Sequence, residues 1–456
     1  MHTINNFRHK KINDKYFVTT DHGSYCILSE DEFNQLKQDD IDENLNLKLE
    51  KKEIILNDNN INEAIRLTRN RNSFLYSGTS LHIIVVTLRC NMNCIYCHAS
   101  AKSPDKKEFD MDKKTAKKTV DFIFQTPSKG ITIEFQGGDP LLNWDVVKFI
   151  IEYSKEKNKA EKKNMNISLV TNLTKMDEEK MNFLIENNVD ACTSLDGPKE
   201  LHDYNRKFIH GSSYDHVVKW AKRFNDEYKK NGIEDRRVNA LVTLTRKSLQ
   251  YPREIVDEYV NLGIKEVHLR FLNNLGVAKH AWNNLNYSAE SYLDFWKKAV
   301  SYIEKLNKQG KEINERMASI MINKINNETD PNYLDLRSPC GAAIGQLAYN
   351  FNGNIYTCDE ARMLDDDLFL LGTVNDKYKD VVSCDKACAV VSSSINDQYM
   401  CDNCAYKPYC GICPVCNYEE QDNVIGKISE TDRCKIYMEQ FNWVVENKFI
   451  EAENFK

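Results

Sequence analysis

Between residues 81 and 275, short apolar runs alternate with longer amphipathic stretches. The runs Leu81–Leu88, Ile131–Phe135, Ile167–Val170, Ala191–Leu195, Val238–Leu244 and Val267–Phe271 have the composition of strands buried on both faces. Between them, Met111–Gln125, Trp144–Tyr153 and Tyr214–Tyr228 carry apolar residues at helical period, the first stopped by Pro127. Six strand–helix units in succession predict an α/β fold with a parallel sheet, curved into part of a (β/α) barrel. In such folds the chemistry sits at the C-terminal ends of the strands. Cys90, Gly137, Asn172, Asp196 and Asn273 fall there.

The flanks have other patterns. Lys15–Thr19 and Ser24–Leu28 alternate around Asp21-His22-Gly23, which predicts a hairpin. Ser29 stands three residues before Glu32, a capping box that opens a short helix through Phe33 and Leu36. Strands followed by short helices suit a winged-helix-like unit over residues 1–80; the alternative is an extension packed on the main body. After the barrel, Ala289–Lys308 and Glu312–Asn326 read as two helices without chemical signal, forming a helical bridge over 276–335. The last unit, 336–456, is rich in cysteine.

Composition narrows the function classes. A net charge of −6 argues against a nucleic-acid binder, which needs a basic face for phosphates. Of fifteen cysteines, ten lie in the last 117 residues and three within Cys90–Cys97. Met1–Lys11 has no apolar signal core, and Leu81–Leu88 is far too short to cross a bilayer. Clustered thiols in a large chain without an export signal point to metal binding or catalysis in a reducing cytoplasm rather than to disulfide staples.

The sequence Arg89-Cys90-Asn91-Met92-Asn93-Cys94-Ile95-Tyr96-Cys97 spaces three cysteines as Cys-x3-Cys-x2-Cys, directly after the first strand. Three thiolates on one tight loop suit three irons of a cubic 4Fe–4S cluster, with the fourth iron left open. A structural zinc site wants four protein ligands at other spacings. This loop resembles the radical S-adenosylmethionine (radical SAM) superfamily, down to the aromatic Tyr96 before the third cysteine. The resemblance implies that Cys90, Cys94 and Cys97 hold the cluster and that its open iron chelates S-adenosylmethionine, which is then cleaved to a 5′-deoxyadenosyl radical.

Further residues extend the resemblance. Gly137-Gly138-Asp139-Pro140 is similar to the family's Gly-Gly-Glu-Pro motif, implying backbone and acid contacts to the methionine ammonium. Asp139 replaces the usual Glu and is one methylene shorter, so a water-mediated contact is expected. Ser194 and Arg206 resemble the pair that contacts the methionine carboxylate in the peptide-modifying branch, with Asn172 after the third strand as a further cofactor contact.

Cys340, Gly353-x4-Cys358, Cys401-x2-Cys404-x5-Cys410-x2-Cys413 and Cys434 resemble the SPASM extension, which holds two auxiliary 4Fe–4S clusters. The resemblance implies an outer set of Cys401, Cys404, Cys410 and Cys434, and an inner set of Cys340, Cys358 and Cys413. The inner set's fourth position falls to Cys416, Cys384 or Cys388, or stays open. The family's usual third gap is x3, which here lands on Pro414. Asp359, directly after Cys358, matches a candidate general base of sulfatase-maturating enzymes; its alternative role is an ion pair with Arg362.

The implied architecture is a partial (β/α)6 TIM barrel over 81–275, with the N-terminal unit as a leader-peptide reader and 336–456 as a SPASM domain. The implied function is a peptide maturase, nearest to those of the His-Xaa-Ser system. It would take a ribosomally made precursor peptide, three 4Fe–4S clusters, S-adenosylmethionine and an electron donor such as flavodoxin or ferredoxin. It would install a crosslink or another oxidative modification. Two alternatives stand beside it: oxidation of a sulfatase Cys or Ser to formylglycine, and a non-catalytic zinc-ribbon scaffold.

Overall fold

The computed structural model describes residues 3–233, 236–364 and 366–451. The outermost limits expected for the first and last units, residues 1–2 and 452–456, lie outside them.

The N-terminal unit is a three-stranded antiparallel meander, β1 (Phe7–Ile12), β2 (Lys15–Thr20) and β3 (Tyr25–Leu28), followed by α1 (Glu30–Gln38), α2 (Glu43–Glu50) and α3 (Ile61–Arg71). The hairpin pairs Thr19 with Tyr25, and Gly23 supplies the positive φ of +87° at its turn. Both bonds of the capping box are present: the Glu32 amide donates to Ser29 Oγ at 3.2 Å and the Ser29 amide to Glu32 Oε2 at 2.7 Å. The meander buries both faces. Val18, Cys26 and Leu28 pack with Phe33, Leu36, Leu45 and Leu49 in a core of the unit's own. Ile12, Phe17 and Ile27 join the main core. The unit is therefore a small fold and a docked extension at once.

The barrel strands are β4 (Leu81–Thr87), β5 (Gly130–Gly137), β6 (Asn164–Val170), β7 (Val189–Ser194), β8 (Asn239–Thr243) and β9 (Leu269–Arg270). They stand side by side in chain order, all parallel. Intervening helices include α4 (Lys113–Ile123), α5 (Trp144–Glu161), α6 (Glu178–Glu186), α7 (Lys199–Asn205), α8 (Ser213–Lys230) and α9 (Pro252–Asn261). Apolar strand residues such as Ile133, Phe135, Leu169 and Ala191 fill the core against them.

The expected sixth strand, Val267–Phe271, is split. Glu266–Val267 pairs instead with Asn314–Glu315, and only Leu269–Arg270 pairs with β8. Glu315 accounts for this: its carboxylate accepts from the Leu269 amide at 3.3 Å and from the Ala318 amide at 2.7 Å. It thereby caps α11 (Arg316–Asn326), which starts four residues later than expected; α10 (Ala289–Lys308) has the predicted bounds.

The free edge of β4 is taken by a strand from the cysteine-rich region. β10 (Gln346–Tyr349) runs parallel to β4, pairing Leu347 with His82, and β11 (Asn354–Tyr356) and β12 (Leu370–Thr373) follow antiparallel to complete a nine-stranded sheet. The cysteine-rich region is thus built onto the barrel. It continues through α12 (Asp359–Leu364), α13 (Asp385–Ser393), α14 (Pro414–Gln421) and α15 (Asp432–Val445), the last packing Trp443 edge-on to Trp296 of α10. Among the described residues, no helix is long and apolar enough to cross a membrane.

Candidate active site

The loop after β4 is held from both ends. The Cys90 amide donates to the Lys102 carbonyl at 2.9 Å and the Lys102 amide to Leu88 at 2.7 Å, closing the loop's neck. Arg89 clamps the same neck: Nε and Nη2 donate to Asp110 at 2.7 and 2.6 Å, and Nη1 to the Pro104 carbonyl at 2.8 Å. Farther out, Cys94 pairs with Arg206 in a short bridge, and the Ile95 amide donates to Asn205 at 2.9 Å. The three thiols are thereby presented on one pinned loop. Burial pushes the Cys90 thiol well up and the Cys94 thiol up to about 12. Such thiols become thiolates only when a cation joins them, as an iron–sulfur cluster does; the donor set fits one.

The two glycines after β5 are dictated by space. A Cβ on Gly137 would stand 2.2 Å from the Thr87 carbonyl oxygen, and one on Gly138 2.1 Å from that of Arg89. Only glycine lets β5 come this close to the base of the cysteine loop. Pro140 then begins a turn that ends at Asn143, whose Nδ2 donates to the Val86 and Met111 carbonyls.

Asp139 faces inward. It is fully buried, and its carboxylate accepts from the Leu141 amide at 2.9 Å, from the Asn172 amide at 2.9 Å and from Thr171 Oγ1 at 2.9 Å. Burial pushes its pKa up to about 6 against these hydrogen bonds. The carboxylate ties the ends of β5 and β6 together. Asn172, positioned by it, donates from Nδ2 to Cys90 Sγ at 3.6 Å and to Asn91 Oδ1 at 3.2 Å.

At the end of β7, a second buried carboxylate gathers the other side of the loop. Asp196 accepts from Tyr96 Oη at 2.5 Å, Asn205 Nδ2 at 3.1 Å, Arg206 Nε at 3.1 Å and the Thr243 amide at 3.3 Å. Arg206 also lies 5.1 Å from the Tyr96 ring centre. Ser194 ends the same strand, in register with Leu241 of β8. Tyr96 and Arg206 are thus brought together with Cys94 through Asp196, a hub that the strand pattern alone marks only as a strand end.

Below this rim the barrel encloses a cavity of 690 Å³, lined among others by His98, Gln136, Ser168, Cys192, Arg270 and Asp359. Asp359 accepts from Arg362 Nε at 3.1 Å and Nη2 at 2.9 Å, the expected alternative pairing, while still contributing to the wall. Burial raises its pKa against the pull of Arg362. The neighbouring Glu360 accepts from Arg270 Nη2 at 3.1 Å.

The C-terminal thiols fall into two groups. Cys401, Cys404, Cys410 and Cys434 line one pocket of 300 Å³, to which Cys413 also contributes. Cys340, Cys358 and Cys413 interact with one another in the other group, and Cys416 joins it through a hydrogen bond with Cys413. The bond with Cys413 and the adjacent Arg433 guanidinium hold the Cys416 thiol low. Arg433 Nη2 donates to Cys416 Sγ at 2.9 Å and to Asn273 Oδ1 at 3.0 Å, linking this group to the barrel rim. Cys384 caps α13, and Cys388 on that helix is exposed and bonded to the Ser383 carbonyl.

Residues 84–259 match the Radical SAM superfamily. A cysteine-type anaerobic sulfatase-maturating enzyme of Clostridium perfringens is 26% identical over 392 residues, covering 83% of this chain and 99% of the relative. Among solved structures, native anSMEcpe with bound AdoMet and the Cp18Cys peptide superposes with a TM-score of 0.68 at 21% identity, over 83% of this chain and 100% of that one. Streptococcus suis SuiB bound to the precursor peptide SuiA superposes with a TM-score of 0.56 at 15% identity, over 93% and 98%. The matched region runs from the first barrel strand to α9 and contains the whole three-thiol loop; the chain is accordingly an enzyme with a radical SAM domain, similar over most of its length to the anaerobic sulfatase maturases.

Proposed function

We propose that this enzyme modifies a ribosomally made precursor peptide, whose leader is read by the N-terminal unit. When bound on Cys90, Cys94 and Cys97, a 4Fe–4S cluster supplies the electron that cleaves S-adenosylmethionine to methionine and a 5′-deoxyadenosyl radical, the agent of hydrogen abstraction. The protein's own residues position and shield. Gly137 and Gly138 offer bare backbone to the methionine end of S-adenosylmethionine, and Asp139 acts by holding Asn172 and Thr171 in place. Ser194 and Arg206 stand on the side suited to its carboxylate, with Arg206 steered by Asp196. Tyr96 closes the loop against that hub. Asp359, on the wall of the 690 Å³ cavity, is the group placed to accept a substrate proton, and its pairing with Arg362 favours the ionised carboxylate needed for that.

Two auxiliary clusters fit the C-terminal groups: an outer one on Cys401, Cys404, Cys410 and Cys434, and an inner one on Cys340, Cys358, Cys413 and Cys416. Taking Cys416 as the inner group's fourth ligand leaves no open iron there. A flavodoxin or ferredoxin in a reducing cytoplasm would supply electrons.

The observation that carries the peptide reading is the N-terminal unit with its own core. A sulfatase maturase has no evident use for such a unit. A three-stranded sheet, by contrast, can take a leader as an added strand. The likeness to the C. perfringens relative still favours a second reading, oxidation of a sulfatase Cys or Ser to formylglycine.

Anaerobic co-expression with the small open reading frame next to the gene, followed by mass spectrometry, separates the two. Loss of two hydrogens per modified site on that peptide supports the peptide reading. Formylglycine on a sulfatase-derived peptide, with the neighbouring peptide unchanged, supports the second.

A further inference from the structure

The pocket of the outer thiol group has one wall that does not come from the cysteine-rich region. His9 and Lys10 of β1 line it together with Cys401, Cys404, Cys410 and Cys434. Side chains alternate along a strand, so Arg8 and Lys10 share a face of β1, the face turned to the body of the molecule. Arg8 is buried there; its Nε donates to the Asp402 carbonyl at 2.5 Å, one residue from Cys401, and its Nη1 to Asp21 at 2.7 Å.

The segment carrying three of the four thiols is fastened to the N-terminal unit along its length. Thr19 Oγ1 donates to the Ala405 carbonyl at 2.8 Å, Arg71 Nη2 to Pro408 at 2.9 Å, and Tyr409 Oη to the Gly23 carbonyl at 2.8 Å. Phe17 meets the rings of Tyr406 and Tyr409 at 6.1 and 6.5 Å. These bonds are buried or partly buried and join residues more than three hundred positions apart, so the contact belongs to the folded core.

The charged side chains that line the pocket are all cations. Besides five thiols (Cys413 lines it as well) and His9, its wall includes Lys10, Lys407, Arg433 and Lys435, and no carboxylate among the described residues; Lys407 and Lys435 pair with Asp402 and Asp432 outside the lining. A cubic cluster with four thiolate ligands is an anion, and it becomes more anionic on reduction. Cations at its wall stabilise the reduced form most, and exclusion of water strengthens the effect.

We propose that β1 is a working wall of the outer auxiliary cluster, with Lys10 as a positioning residue whose charge raises that cluster's reduction potential. The inference rests on the three-cluster reading above. It gives the N-terminal unit a second duty besides peptide recognition: whatever the unit binds, it holds one side of an electron site. Deleting the unit would uncover Tyr406 and Tyr409 as well, so charge variants test the idea more cleanly.

The full-length holoenzyme carrying Lys10→Glu is compared with Lys10→Arg and with Lys51→Glu, an equal charge change on the exposed end of α2 away from the pocket. Iron is counted per chain, and the clusters are titrated potentiometrically with detection by electron paramagnetic resonance. The expected result is a more negative midpoint for the outer cluster in Lys10→Glu alone, with the other midpoints unmoved and Lys10→Arg like the wild type. Loss of outer-cluster iron confined to Lys10→Glu is the same result in stronger form. An unmoved outer midpoint in fully loaded Lys10→Glu, or an equal shift in Lys51→Glu, overturns the proposal. A wild-type enzyme without outer-cluster iron would instead overturn the three-cluster reading, and this inference with it.

Discussion

Tyr96 and Asp196, one hundred residues apart in the chain, meet in a buried hydrogen bond of 2.5 Å that fastens the cysteine loop to the end of β7. Asp196 is fully buried, and its other partners are Asn205, Arg206 and Thr243. The two ends of this bond are therefore unequal. Tyr96→Phe removes one donor from a carboxylate that keeps three, and should cost about 1 kcal/mol. Asp196→Ala leaves the Arg206 guanidinium without its counter-charge and should cost about 3–5 kcal/mol. Denaturant titration of both variants checks the ratio; equal costs would mean that Asp196 is not the hub.

Replacing Cys90, Cys94 and Cys97 together by Ala should abolish reductive cleavage of S-adenosylmethionine. If all three clusters form, about eight of about twelve irons should remain, because the other thiols lie in separate groups. Chromatography of 5′-deoxyadenosine and iron analysis give the two readings. Continued 5′-deoxyadenosine formation would reject the loop as the radical site.

The inner group makes a sharper distinction. Cys416→Ser should lose or degrade the inner cluster, seen as iron falling below the wild-type content and a changed resonance signal. Cys384→Ser and Cys388→Ser should leave both unchanged, since those residues sit at the start of α13 and Cys388 is exposed. Full iron content in Cys416→Ser would show that the inner cluster manages with three protein ligands.

Much of the barrel was legible because its signals are local. Continuous apolar runs such as Ile167–Val170, the capping pair Ser29 and Glu32, and the spacing of Cys90, Cys94 and Cys97 depend only on nearby residues. Pairings between distant segments leave no such trace. Nothing in Gln346–Tyr349 says that it will pair with β4, and nothing in Phe7–Ile12, with its alternating Arg8 and Lys10, says that it will face the thiols near residue 404. Glu315 likewise breaks the sixth strand by competing for the Leu269 amide, which no apolar pattern predicts. The fourth inner thiol was ambiguous for the same reason: Cys416, Cys384 and Cys388 differ in spatial neighbours, not in residue type. Asp139 matched the position of the family's acid, yet its burial among Leu141, Thr171 and Asn172 makes it a buckle between two strand ends.

Glu315 also predicts how stability should respond to pH. It is buried beneath α11, and burial pushes its pKa up to about 7, from an ordinary 4.5, despite the hydrogen bonds it accepts from Leu269 and Ala318. The fold therefore prefers the protonated carboxyl more than the unfolded chain does. As pH rises from the unfolded value through the folded one, the unfolded state gives up its proton first, and stability falls. The slope from this group is at most about 1.4 kcal/mol per pH unit, and the loss should level off above about pH 7. Glu315→Gln keeps one acceptor oxygen, enough for one of the two amides, which costs stability equally at every pH; it has no proton to lose, so it should lack this decline. Denaturant titrations of wild type and Glu315→Gln at pH 5 and pH 8, compared at each pH so that other groups cancel, should show the variant gaining on the wild type by roughly 2–3 kcal/mol at the higher pH. A constant difference between the two proteins would mean that Glu315 is already ionised in the fold at pH 5.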